Sequence, residues 1–158
     1  MSRKRGLIAG ASTLVLGLGI GWWTLATPGA AAPSKAKTTV HVIEHPDSDT
    51  VVDTDGDGKD STGDLLTFHN KVYDETDASR VGRDMGDCVR IDARRGSWEC
   101  RWTTFLDGGQ ITVEGPFYDT KDTVLSITGG TGGYANAQGE MDISALGDGK
   151  YGFIFHLS

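Results

Sequence analysis

The chain has 158 residues, 37% of them hydrophobic, a formal net charge of −7 and two cysteines. That length gives one domain with a core of its own. The acidic balance excludes a nucleic-acid backbone and an anionic membrane surface as natural partners, because both would repel it.

The first residues read as an export signal. Arg3, Lys4 and Arg5 form a basic head, Gly6 to Leu25 carries no charge, and Ala30-Ala31-Ala32 offers small residues for cleavage. Pro33 disfavours a cut just before it, so cleavage is expected near Ala31. Residues 1–31 are then the signal, 32–37 a tether, and 38–158 the folded domain of a secreted protein, free of the membrane once cut. The alternative is an uncleaved anchor, since the apolar stretch is long enough to span a bilayer. Losing the three basic leader residues takes the charge from −7 to −10.

The segments that follow have strand character. Thr38 to His45 is rich in β-branched residues. His45 to Gly63 is polar, acidic and glycine-rich, and reads as a loop. Within it, Asp53 to Asp64 places oxygen side chains at the first, third, fifth, ninth and twelfth positions with glycine at the sixth, like a calcium loop. No amphipathic helix flanks it, so a solvated acidic loop is preferred and no metal is assigned. Asp64 to Asp74 alternates, with Leu66, Phe68, Asn70 and Val72 on one face. An amide on an apolar face needs a partner. Asn70 is therefore either a satisfied structural group or a pocket group aimed at a ligand or water.

Asp87 to Ala93 and Ser97 to Leu106 read as a hairpin that sets Cys88 opposite Cys100. In an oxidising compartment that pairing predicts a disulfide, and the alternative is a free Cys88 thiol facing a pocket. Gln110 to Phe117, Thr123 to Thr128, Glu140 to Leu146 and Tyr151 to Ser158 complete eight strands. The glycines of Ile127 to Met141 mark a corner between two of them. They do not form a nucleotide fingerprint: Gly130-Thr131-Gly132 lacks the third glycine, and no helix follows. The four histidines show no zinc spacing, and no cofactor is implied. Short strands joined by tight Gly/Asp turns predict an all-β fold, an eight-stranded antiparallel up-and-down β-barrel. A two-sheet sandwich is the competing fold.

Several motifs then occur together and in order. Gly63-Asp64-Leu65-Leu66-Thr67-Phe68-His69-Asn70-Lys71-Val72-Tyr73-Asp74 resembles the strand motif of plant allene oxide cyclases. Gly86-Asp87-Cys88-Val89, Gln110-Ile111-Thr112-Val113-Glu114-Gly115-Pro116-Phe117 and Ile127-Thr128-Gly129-Gly130-Thr131-Gly132 continue it, and the last is similar to dirigent proteins as well. The resemblance implies a barrel, commonly trimeric, whose apolar cavity steers the cyclisation or coupling of a reactive small hydrophobic molecule. It implies that Asn70 holds a pocket water or carbonyl and that Cys88 lies in the pocket unless Cys100 bridges it away. Val42 stands where the cyclases carry an acidic group, with Glu44 two places on along the same face. Phe117 replaces a tyrosine. The catalytic candidates are thus Asn70 and Glu44, and the ligand-binding candidates are Val42, Phe68, Phe117 and Trp102. A non-catalytic carrier on the same barrel is the rival, as is a barrel whose lumen its own side chains fill.

Overall fold

The computed structural model describes residues 38–158; the predicted signal and tether lie outside the described residues. The strands are β1 (Thr38–His45), β2 (Asp49–Val52), β3 (Leu65–Asp74), β4 (Arg80–Asp92), β5 (Ser97–Leu106), β6 (Gly109–Tyr118), β7 (Thr123–Gly132), β8 (Gly139–Gly147) and β9 (Lys150–Leu157). All pair antiparallel in the order β1-β9-β8-β7-β6-β5-β4-β3-β2, and β1 also pairs with β3. That second pairing closes an eight-stranded barrel and leaves β2 as a ninth, short strand.

Period-two alternation builds the core. Trp98, Cys100, Trp102 and Thr104 of β5 point inward, as do Ile111 and Val113, Leu125 and Ile127, Met141 and Ile143, and Phe153 and Phe155 on the strands that follow. Each such apolar side chain contributes about 1.5–3 kcal/mol by leaving water. The outward positions between them are mostly polar.

Three boundaries differ from the sequence reading. First, part of the acidic loop is strand β2. β1 pairs with the second half of β3 (His45 opposite Lys71), and β2 pairs with the first half (Asp49 opposite Phe68). β1 and β2 thus form one edge interrupted at Pro46-Asp47-Ser48. Proline has no N–H to donate, and the Asn70 side chain bridges the gap by accepting from the Asp47 and Ser48 N–H groups at 2.8 and 3.2 Å.

Second, β4 begins at Arg80, seven residues before the expected Asp87. Gly82 and Gly86 suggest turns, yet they are strand residues. A Cβ at Gly86 would collide with the Arg101 carbonyl and the Trp102 Cβ, so glycine is needed for two strands to approach closely. Third, the expected corner Gly129 to Gly132 is the end of β7. It pairs with β6 across a bulge at Thr128, and the chain turns only after it.

Candidate active site in the barrel lumen

The register of β3, β4 and β5 stacks inward side chains in layers. Leu66, Cys88 and Cys100 form the layer nearest one mouth. Phe68, Gly86 and Trp102 follow, then Asn70, Asp84 and Thr104. The first two layers, with Phe117 of β6, Ile143 of β8 and Tyr151 and Phe153 of β9, line an open cavity of about 120 Å³. Its aromatic rings interlock edge to face: Phe68 with Trp102 at 6.0 Å and Phe117 with Tyr151 at 5.4 Å between centroids. The glycine segment that ends β7 lies at the opposite end of the barrel, as the alternating strand directions require.

Beneath the aromatic walls is a polar layer. Asn70 Nδ2 donates to Glu44 Oε1 and to Asp49 Oδ1, both at 2.8 Å. Its oxygen is taken by the Asp47 and Ser48 N–H groups, so the amide is fully used within the protein. Glu44 is 6% exposed, and Asp84 and Thr104 are fully buried. Among the described residues, four buried side-chain atoms lack a protein hydrogen-bond partner: both Asp84 oxygens, Thr104 Oγ1 and Trp102 Nε1. A buried polar atom left unpaired costs about 1–3 kcal/mol, so these atoms mark a place the fold alone does not explain.

Two carboxyls side by side in such surroundings cannot both ionise. Burial, with the Asp49 charge, pushes Glu44 up to about 7, against the opposing hydrogen bond from Asn70. Burial and the neighbouring Glu44 carboxyl push Asp84 up to about 9. At neutral pH the pair therefore keeps Asp84 protonated, with Glu44 able to give or take a proton.

The mouth is bordered by fixed negative charge. Arg90 is buried over the Trp98 ring, 3.7 Å from its centroid, and is neutralised by Asp60 and Asp119 at 2.8 Å each. Asp119 also accepts from Trp98 Nε1 at 2.8 Å. The loop from Asp53 to Asp64 folds on buried Asp64, which accepts from the Thr54 and Ser61 N–H groups at 2.9 and 2.8 Å. Those bonds hold its carboxyl below the usual carboxylate range. On the same loop, carboxylate oxygens of Asp53, Asp55 and Asp57 lie within 4.8 Å of one another.

The structure brings Glu44, Asn70, Phe68, Phe117 and Trp102 together around one cavity. Val42 is placed elsewhere: it packs in the core at 3% exposure and is not part of the cavity wall. Its side chain lies one turn of the pleat deeper than Glu44, beyond the polar layer. Cys88 and Cys100 form the expected disulfide. Contrary to the idea that bridging would withdraw Cys88 from the pocket, both half-cystines face the cavity, because a directly opposed inward pair bridges without leaving its face. Sequence reasoning missed Asp49, Tyr151, Thr104 and above all Asp84. The available signal was the period of two running back from Cys88 through Gly86 to Asp84.

Comparison with known proteins agrees with this architecture. The family model of allene oxide cyclase matches residues 35–154. Among solved structures, a pyocyanin demethylase superposes with a TM-score of 0.68 at 27% identity, covering 77% of this chain and 100% of the other. AbnU, an exo-specific intermolecular Diels-Alderase, gives 0.62 at 15% identity, with 78% and 98% covered. A pterocarpan synthase dirigent protein gives 0.58 at 15% identity, with 77% and 87% covered. The last two likenesses show a shared barrel.

Proposed function

Since the chain belongs to the allene oxide cyclase family, we propose that it is a secreted barrel that holds a small apolar molecule in its lumen and steers its cyclisation or coupling through acid assistance by Glu44. The observation that supports this most is the Glu44–Asp84 carboxyl pair under an aromatic-walled cavity. The disulfide suits an oxidising compartment and so supports export.

The chemistry follows from the geometry. A protonated Glu44 donates its proton to an oxygen of the bound molecule, an epoxide for example. The C–O bond breaks with its electron pair going to that oxygen, and positive charge develops on carbon. The Glu44 carboxylate left behind and the surrounding ring faces stabilise that charge until a hydride shift or ring closure within the molecule quenches it and a proton returns to Glu44. Asp84, still protonated, hydrogen-bonds the carboxylate and prevents mutual repulsion. Asn70 is a positioning residue: it lines the cavity, but its polar atoms are engaged in fixing Glu44, Asp49 and the β1–β2 break. The walls hold the reacting molecule in one folded conformation and exclude water.

The cavity has the size for a single six-membered ring, because an apolar void of about 150 Å³ accepts benzene; larger molecules would extend through the mouth. Styrene oxide is therefore a suitable probe. It should shift the Trp102 indole NMR signal saturably and isomerise to phenylacetaldehyde faster than in buffer. Leu66→Trp, which fills the cavity, should abolish the shift without lowering the melting temperature by more than a few degrees. Glu44→Gln should retain binding and slow the isomerisation about 100-fold, the usual worth of a positioned acid. Binding without any Glu44-dependent turnover would instead identify a carrier, and no saturable shift at all would rule out the lumen as a ligand site.

A further inference from the structure

Among the described residues, no cationic side chain lines the cavity. Its polar wall is Glu44, Asp49 and the Asn70 amide that donates to both. Burial raises the Tyr151 phenol, and the Glu44, Asp119 and Asp49 charges raise it further. The nearest buried cation, Arg90, is already matched by two carboxylates. The remaining walls are the rings of Phe68, Trp102, Phe117, Tyr151 and Phe153. Carboxylates at one end of an aromatic enclosure are the arrangement that binds a positive charge, through direct attraction and through the negative faces of the rings.

We propose that the cavity selects aromatic molecules carrying a positive charge, such as quaternised or protonated nitrogen heterocycles, over neutral and anionic molecules of the same shape. This rests on the lumen being the binding site. It also sets the chain apart from a barrel that takes a fatty-acid epoxide, whose carboxylate this lining would repel. The groups facing Glu44 are Asp49 from β2, Asn70 from β3, Asp84 from β4 and Tyr151 from β9, and none is basic. A bound cation therefore favours the ionised form of Glu44, and cation affinity rises with pH across neutrality.

The test is a matched set of single-ring probes: N-methylpyridinium, toluene and benzoate, each titrated into the disulfide-intact domain and followed at the Trp102 indole signal. N-methylpyridinium should bind at least tenfold more tightly than toluene, and benzoate should not bind over the same range. The cation's affinity should rise severalfold from pH 6 to pH 8, with toluene unchanged. Asp49→Asn, which removes one carboxylate of the cavity wall and keeps its shape, should lower cation affinity severalfold and affect toluene binding much less. Toluene binding as tightly as the cation, or benzoate binding best, would overturn the charge preference and leave the lumen as a site. Failure of all three probes to bind would overturn both.

Discussion

Asp84→Asn should remove most of the alkaline loss of stability that the wild-type barrel shows. In the folded protein Glu44 and Asp84 hold their protons up to about pH 7 and 9, whereas in the unfolded chain they release them near the ordinary carboxylate values of 4.5 and 3.8. The native state thus binds more protons than the unfolded state throughout this interval, so stability falls as pH rises. The stabilisation is complete below about pH 4 and is lost progressively through about pH 7 and then about 9. Forcing a charge into such a site costs several kcal/mol, about 3–5 where a buried partner is left uncompensated. At roughly 4 °C per kcal/mol for a domain of this size, the wild-type melting temperature should drop by about 10 °C or more between pH 5 and pH 9. The substituted asparagine keeps the shape of the side chain, cannot ionise and can donate to Glu44. The variant should therefore lose less than half as much and be the more stable protein at pH 9. Thermal unfolding of both proteins across that range checks it. Parallel curves would mean that Asp84 ionises freely. The hydrogen-bonded carboxylates of Asp64, Asp74 and Asp77 lie below their usual range and act with the opposite sign, at acid pH only.

The second large effect concerns the bridge in the cavity wall. Replacing both Cys88 and Cys100 with alanine should cost about 3 kcal/mol, the chain-entropy value for a loop this short, and lower the melting temperature by about 10 °C. The barrel should still form, since the two residues already face each other in the β4–β5 ladder. Because both sulfurs line the cavity, the double variant should also bind toluene with altered affinity. A purely peripheral staple would leave binding untouched. Urea unfolding of the oxidised wild type and of the double variant gives the first quantity, and NMR titration gives the second. A cost below about 1 kcal/mol would show that the ladder alone sets the strand pairing.

Much of this architecture was legible because a period of two survives in the strands. Phe153 and Phe155, Trp98 and Trp102, and Leu66, Phe68 and Asn70 each declare a face, and short Gly/Asp turns force neighbours to pair. The closed barrel was legible from the count of eight strands meeting nearest neighbours, and the family resemblance implied the same closure. The short strand β2 was not legible: Asp49-Thr50-Val51-Val52 is entirely exposed, so no burial pattern marks it. Its pairing comes from the ladder with β3 and from the Asn70 side chain holding the chain break beside it. The start of β4 was hidden for a different reason. Glycine usually signals a turn, but Gly82 and Gly86 are there because neighbouring strands leave no room for a Cβ. Missing that strand hid Asp84, and with it the acid pair. Glu44 and Asn70 were visible as polar residues on an apolar face, but their direct bond across the β1–β3 seam depends on closure. Val42 shows the limit of carrying a position over from relatives: the inward face is right, yet the depth along the strand decides whether a side chain meets the cavity or the core.

A buried carboxyl, Asp84, keeps its proton at neutral pH beneath the cavity. Carboxyl carbon NMR of the aspartate- and glutamate-labelled domain, titrated from pH 4 to pH 10, reads that directly. One aspartate resonance, absent in Asp84→Asn, should titrate near pH 9, and one glutamate resonance, absent in Glu44→Gln, should titrate near pH 7. Titration of every aspartate and glutamate below pH 5 would contradict it.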